Sequence, residues 1–246
     1  MSLDSEIAQL TGTASTLIDT FEKKSADIED RIVSALQAVP EGDKVFYVDQ
    51  NTGSDTNTGE NNDSPLKTLG EAISRTPIGG TLDIYLLSDY EMDKDIFIQA
   101  KLVRLNGVMG DDQIRKNITF LTKTVNGEII TPSFVHMFGG GIHLYGLVIN
   151  LPDISGISGT LGSRSACFGP RSSSDAMSFI FKITYSDIVV PTESAALLNH
   201  SSNFMFIAVF SCTVPANMPG HWIRGVPGGT LTKDEQYLAV MGISSL

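Results

Sequence analysis

Carboxylates are the side chains of this chain whose types and spacing come closest to chemistry. Asp89, Glu91, Asp93 and Asp95 form one acidic cluster, and Asp111-Asp112 form an adjacent pair. Two carboxyl groups about 5–10 Å apart can serve a glycosidic bond as acid and base, or as acid and nucleophile. Neighbouring residues on a strand point to opposite faces, so Asp111 and Asp112 converge only in a turn, which Gly110 favours; the plainer reading of the pair is a charged turn. The four histidines, His136, His143, His200 and His221, include no metal-binding pair such as H-x-x-x-H. His136 and His143 fall on neighbouring strand runs and could face each other; independently placed imidazoles are the simpler reading. No G-x-S-x-G nucleophile turn is present. Cys167 and Cys212 have neither metal-ligand spacing nor a disulfide framework and read as reduced, buried thiols. Asp55-x-Asn57-x-Gly59 echoes the first half of a calcium loop. The sixth position is Glu60 and the twelfth Leu66, however, which favours ordinary Asx turns. No metal and no cofactor are expected. The single tryptophan, Trp222, stands beside His221 and close to Arg224, between Pro219-Gly220 and Gly225. In a loop, these three residues could stack on a sugar or anchor a protein, and they are the candidate receptor-binding residues. A core or subunit-interface tryptophan is the competing assignment.

The elements that must position these groups begin with a helix. Leu3, Ile7, Leu10, Ala14, Leu17 and Phe21 repeat with gaps of 4, 3, 4, 3 and 4, the seam of a coiled coil. The pattern resumes at Ile28, Ile32, Ala35 and Val39 after a stutter at Lys24 and Ser25. Asp4 suits the positive helix end, and Pro40-Glu41-Gly42 ends the helix. Gly12 weakens it by about 1 kcal/mol relative to Ala. So narrow a stripe needs a partner, either copies of itself or its own domain. Self-association is the expectation, with Leu3, Ile7, Leu10, Leu17, Phe21, Ile28 and Ile32 as the trimerisation residues.

Residues 44–73 say most about the fold. A short β-run, Lys44–Val48, leads into a polar loop rich in Asn, Asp and Gly, Asp49–Asp63. Leu66, Leu69, Ala72 and Ile73 then mark a short amphipathic helix, with Ser64 as N-cap before Pro65. Tyr47-Val48-Asp49, Gly53-Ser54-Asp55, Asn57, Gly59, Pro65–Leu69 and Ala72-Ile73 together resemble the opening motif of right-handed parallel β-helix proteins. That motif occurs in bacteriophage tail fibres and tailspikes and in pectate-lyase-like extracellular proteins. The resemblance implies that the short helix plugs the open end of the solenoid. It covers about thirty residues closely and the next hundred in texture only. Heptads directly before it resemble a tail fibre more than a secreted lyase.

Downstream come short apolar runs: Leu82–Leu87, Ile96–Ile98, Leu102–Leu105, Ile118–Leu121, Phe134–Phe138 and Ile142–Ile149. Strands of this size between Gly, Asn and Asp fit stacked coils, although no strict period is visible; a Greek-key sandwich gives similar runs. The Ser/Gly-rich stretch 151–178 reads as a surface loop or connection. Phe179–Tyr185, Ile188–Val190, Phe204–Phe210 and Tyr237–Met241 are apolar on both faces, which predicts strands covered on both sides, the second by a neighbouring subunit.

The chain of 246 residues carries a net charge of −11, distributed as −6 over 1–43, −4 over 44–150 and −1 over 151–246. That disfavours a nucleic-acid partner, which needs clustered Lys and Arg, and equally an anionic membrane surface. The longest apolar run, Phe204–Phe210, is too short for membrane insertion. The start has no basic segment followed by an apolar one, so no secretory signal is expected.

The fold class expected is mainly β and homotrimeric. An N-terminal α-helical coiled coil (1–40) precedes a right-handed parallel β-helix (41–155, capping helix 64–75) and a β-rich C-terminal tip (156–246). The resemblance implies a tail-fibre or tailspike-type virion protein assembled in host cytoplasm. Its expected partners are copies of itself, other phage tail or baseplate proteins, and a host cell-surface glycan or protein receptor. A purely architectural collar, baseplate or fibre adaptor and a glycan depolymerase remain alternatives.

Overall fold

The computed structural model describes residues 3–37, 42–110, 113–162, 165–170, 178–199, 204–230 and 238–242. Asp111, Asp112, His200, the Ile32 side chain and the helix-ending residues 38–41 lie outside the described set. The chain divides into two compact units, Met1–Glu41 and Gly42–Leu246.

The first unit is one helix, α1 (Leu3–Gln37), with Asp4 and Glu6 in its first turn. It runs unbroken through Gly12 and through a threonine-rich stretch. Threonine hydroxyls normally compete with helix formation. Here Thr11, Thr13, Thr16 and Thr20 donate instead to the carbonyls of Ile7, Gln9, Gly12 and Thr16, four residues back. Every described side chain over residues 3–31 is exposed. The 3-4 apolar stripe is therefore exposed along the described part of α1. Among the described residues no helix is long and apolar enough to cross a membrane.

The second unit is built from short parallel strands in three sheets. Sheet 1 has the order β1 (Asp43–Val48), β2 (Thr81–Leu86), β5 (Leu102–Asn106), β10 (Gly141–Tyr145), β14 (Ser178–Thr184), β17 (Phe204–Phe210) and β18 (Leu238–Met241). Sheet 2 stacks β3 (Tyr90–Met92), β6 (Lys116–Phe120), β11 (Leu147–Asn150) and β15 (Asp187–Val189). Sheet 3 stacks β4 (Ile96–Gln99), β9 (Phe134–Met137), β13 (Ala166–Gly169) and β16 (Ala196–Leu198). From β2 onward the chain visits sheets 1, 2 and 3 in turn, and each circuit lays its strands parallel on the last. Single bridges continue the order past β17: Thr213 pairs with Asp187 of sheet 2, and Ile223 with Leu198 of sheet 3. Parallel pairing throughout the three sheets removes the antiparallel Greek-key alternative.

Side-chain alternation explains the core. Inward positions of sheet 1, among them Leu82, Ile84, Val103, Leu105, Ile142, Leu144, Phe181, Ile183 and Ile207, are buried. Rings stack from circuit to circuit: Phe134 lies 5.2 Å from Phe168 with planes 2° apart, and Phe168 also meets Phe120 and Phe181. From β10 onward the corner leaving sheet 1 is turned by a left-handed residue, in successive circuits Gly146 (φ 64°), Tyr185 (φ 53°), Ser211 (φ 54°) and Gly242 (φ 93°). One excursion leaves the stack. β7 (Lys123–Val125) and β8 (Glu128–Ile130) form an antiparallel hairpin, and β12 (Thr160–Leu161) adds to β8. The turn is Asn126-Gly127, both at positive φ, as a two-residue hairpin requires.

The first end of the stack is closed by α2 (Leu69–Ser74), whose Leu69, Ala72 and Ile73 are buried. This is shorter than the expected 64–75. Leu66 stays extended and bridges Val48, and its carbonyl accepts from the Asp49 amide. The helix starts only after Thr68, the N-cap, which accepts from the Glu71 amide. Segment 151–178 also departs from expectation: it contains β13, whose Ala166, Cys167 and Phe168 are core residues. Glycine and serine set its turns, and four residues between them suffice for a buried strand. Sheets 1, 2 and 3 all continue across residues 155–156, where only the composition changes. β14 and β17 bury one face within the chain; on the other, Ile180, Phe204 and Phe210 point out and are exposed.

Candidate functional site

The loop between β1 and α2 is a hydrogen-bonded clamp. The Asp55 carboxylate accepts from the amides of Lys67 and Thr68 and from the Thr68 hydroxyl, at 2.9–3.0 Å. Arg75, at the C-cap of α2, donates to the carbonyls of Asp55, Asn57 and Thr58 and pairs with Glu71 at 2.7 Å. Asp49 accepts from the amides of Asn51 and Thr52 and from the Thr52 hydroxyl. Burial pushes the Asp49 carboxyl up, but the bonds from Thr52, Asn51 and Ser88 outweigh it and hold the carboxyl below its usual range. The residues that echo a calcium loop thus act as ligands of the backbone.

The acidic cluster does not converge as a set. Asp89 and Glu91 line a depression of about 440 Å³ on the outward side of sheet 2, with Asn117, Thr119, Asn150 and Asp153. Asp89 accepts from the Asn117 amide and side chain at 2.7 and 3.1 Å. Asp95 accepts from the Ser133 amide at the head of β9 instead, and Asp93 is exposed. A general acid needs a carboxyl that holds its proton near neutral pH. Asp153 is displaced the other way, its carboxyl lowered by hydrogen bonds from Ser155.

The described histidines have three separate environments. His136, on β9, points into the core, fully buried, with no hydrogen-bond partner for either ring nitrogen among the described residues and with Phe179 4.2 Å away between centroids. Burial lowers its pKa to about 3. His143, on β10, points outward, and its Nε2 lies 3.1 Å from the Thr184 hydroxyl. Its pKa falls to about 4, first through burial and then through the positive charges of Lys182 and Arg104. The two therefore lie on different sheets and do not face each other. His221 Nδ1 sits 2.9 Å from the Ser194 hydroxyl.

Trp222 is not in a surface loop. Segment 221–224 adds to sheet 3: the Leu197 and Leu198 amides donate to the carbonyls of His221 and Trp222, and the Arg224 amide donates to that of Leu198. The indole is only 2% exposed and is part of the core with Met218 and Ile223. It is not offered to a ligand, whereas His221 is half-buried and Arg224 exposed.

A surface that sequence reasoning missed is the outward face of sheet 1. Register aligns Val45, Asp83, Arg104, His143, Lys182 and Ala208 in one row. Thr81, Leu102, Gly141, Ile180 and Phe206 form the row on one side. Tyr47, Tyr85, Asn106, Tyr145, Thr184 and Phe210 form the row on the other. Tyr47 stacks on Tyr85 at 5.5 Å, and Tyr145 lies 5.9 Å from Tyr185. Arg115 caps Tyr185 at 4.3 Å and pairs with Asp187, the interaction that chiefly raises its pKa. Alternation in Phe204-Met-Phe-Ile-Ala-Val-Phe210 was the available signal, but apolar residues in both phases concealed it. Among the described residues, no cluster of His, Cys, Asp or Glu could hold a metal ion. No protein-family model, curated protein or solved structure matches this chain.

Proposed function

We propose that this chain is a homotrimeric bacteriophage tail protein of the tail-fibre or tailspike type, which binds a host-surface glycan or protein. Three α1 helices wind into a coiled coil that attaches to the tail. The parallel sheets form a right-handed β-helix that carries the receptor-contacting end. The observation that carries the reading is the uncovered seam of α1: Leu3, Ile7, Leu10, Leu17, Phe21 and Ile28 are all more than half exposed. A two-turn apolar repeat held in water along that length has a large free-energy gain available from burial against its own copies. Receptor contact falls to the turns around 215–230. There Trp222 holds the backbone, and His221 and Arg224 are the accessible groups. Many weak contacts presented together by repeated copies hold the particle. Binding rather than cleavage is supported by Asp89 and Asp95, which are engaged by Asn117 and Ser133.

The test has two parts. Native mass spectrometry of the full chain should give three copies, and a monomer at micromolar concentration refutes the assembly. Incubation with a panel of bacterial lipopolysaccharides and capsular polysaccharides should give retention without new reducing ends. Release of reducing ends establishes a depolymerase, with Asp89 and Glu91 the first residues to substitute. Retention by tail proteins, with none by whole cells or glycans, establishes an architectural adaptor.

A further inference from the structure

We infer that the outward face of sheet 1 is the surface on which the globular units of neighbouring copies meet; this rests on the trimer proposed above. The face collects large apolar side chains that are exposed among the described residues. Val45, Leu102, Ile180, Phe204 and Met241 are 45–50% exposed and Phe210 is 39% exposed. Contiguous patches of this kind mark interaction surfaces. Register makes the patch continuous. Leu102 and Ile180 flank Gly141, where a Cβ would lie 2.8 Å from that of Ile180, so the glycine lets Ile180 pack close over the strand, and Ile180 stands next to Phe206. Gly141 belongs to a depression of about 460 Å³ that Val45, Leu102, Ile142 and Ile180 help to line.

Charge selects the occupant. A chain of net charge −11 repels its copies over most of its surface. The outward rows of sheet 1 carry Asp43 and Asp83 against Arg104 and Lys182, a balance of zero, and Asp83 is already paired with Arg104 at 3.3 Å. Neutrality and apolar character coincide on this face, so two copies meet here without the repulsion they feel elsewhere.

Size explains why the contact needs the helix. Seven strands about 4.8 Å apart and about 17 Å long give a footprint on the order of 500 Å² per copy. A stable standard-size complex needs about 800 Å² per partner. The face is too small to gather free copies, but large enough to close once α1 holds the chains at millimolar effective concentration. The occupant it fits is therefore a tethered copy.

The experiment uses full-length chain with Ile180→Cys in a Cys212→Ser background, with Asp63→Cys as the exposed control. In the trimer the thiol at 180 should react with a maleimide at least tenfold more slowly than the thiol at 63. A short bis-maleimide should give covalent dimers from the 180 variant alone. Adding Leu10→Asp and Phe21→Asp should release the chains and restore fast labelling at 180. Retention of the β-sheet circular dichroism signal identifies a folded monomer in that measurement. A trimer by mass that labels quickly at 180 and does not cross-link overturns the inference and leaves the trimer standing. A monomeric mass for the unaltered chain overturns the trimer itself. Slow labelling that appears only when bacterial glycan is added assigns the face to a ligand and overturns the inference.

Discussion

Replacing His136 with leucine should stabilise the protein, and more so in acid. The imidazole is fully buried on β9 opposite Ile98 and against Phe179, and neither nitrogen has a partner among the described residues. A buried donor or acceptor left unsatisfied costs about 1–3 kcal/mol. Leucine has nearly the same volume and removes both polar atoms, so His136→Leu should gain about 1–3 kcal/mol at pH 7.5. The pH dependence follows from the pKa of about 3 in the folded state. The unfolded chain takes up a proton below about 6.5 and the folded chain does not, so the native protein loses stability as pH falls from 6.5 towards 3. Stability is fully present above the unfolded value. At pH 5 the loss from this residue is about 2 kcal/mol, since each pH unit below 6.5 is about 1.4 kcal/mol. The variant lacks it. Carboxylates contribute equally to both proteins and cancel in the difference. Thermal unfolding at pH 7.5 and pH 5.0, at one protein concentration, should show the variant melting higher at both. The gap should widen by about 4–8 °C in acid, given about 2–4 °C per kcal/mol for a chain of this size. A variant that melts lower at pH 7.5, or a gap that does not widen, refutes the reasoning.

Asp55→Ala removes the acceptor of three hydrogen bonds to Lys67 and Thr68. It should cost about 2–4 kcal/mol in urea unfolding, with Asp55→Asn recovering part of it. Two glycines should respond in opposite directions, as melting temperatures will show. A Cβ at Gly53 would lie 2.2 Å from the Leu66 carbonyl oxygen and 2.5 Å from that of Asp49, so Gly53→Ala should force the loop off β1 and destabilise strongly. Nothing lies within 4 Å of a Cβ at Gly70, inside α2, and Gly70→Ala should raise stability by about 0.5–1 kcal/mol.

Local features were legible in the sequence where one residue type has one physical use. The 3-4 spacing of Leu3 to Phe21 gave α1, and the Leu82 and Leu102 runs became β2 and β5 almost residue for residue. The repeat was hidden because circuits differ in length, from 21 residues between Thr81 and its partner Leu102 to 39 between Gly141 and Ile180. The same corner is turned by glycine, tyrosine or serine, so no signature recurs. β13 was obscured by glycines that serve its ends, and the bridge segment at Trp222–Ile223 by proline and glycine on both sides. In both places the backbone partners come from neighbouring circuits that are remote along the sequence, and local punctuation says nothing about them. The acidic cluster shows the same limit from the side of chemistry. Asp89, Glu91 and Asp95 look equivalent in sequence, yet the passage from sheet 2 to sheet 3 between β3 and β4 separates Asp95 from the other two.

How the first end of the stack is closed bears on where copies can meet. β1 is the edge of sheet 1, and an open edge strand invites pairing with another chain. Its outer side is occupied over the second half: the Tyr47 amide donates to the Gly59 carbonyl, Leu66 donates to Tyr47, and Asp49 donates to Leu66. The inner aliphatics of the same circuit lie under Leu69, Ala72 and Ile73 of α2. Lys101 fastens that helix, placing its ammonium 2.5 Å from the Ile73 carbonyl oxygen. A cation is favoured at a helix C-terminus, and burial lowers the Lys101 pKa without providing a carboxylate. Strand addition is thereby blocked along the second half of β1 by the loop backbone, and α2 covers the inner aliphatics at that end. Among the described residues two apolar surfaces are exposed, the 3-4 stripe of α1 and the outward face of sheet 1. One is long, narrow and repetitive. The other is broad but small, and in the proposed assembly the first would raise the local concentration that the second requires.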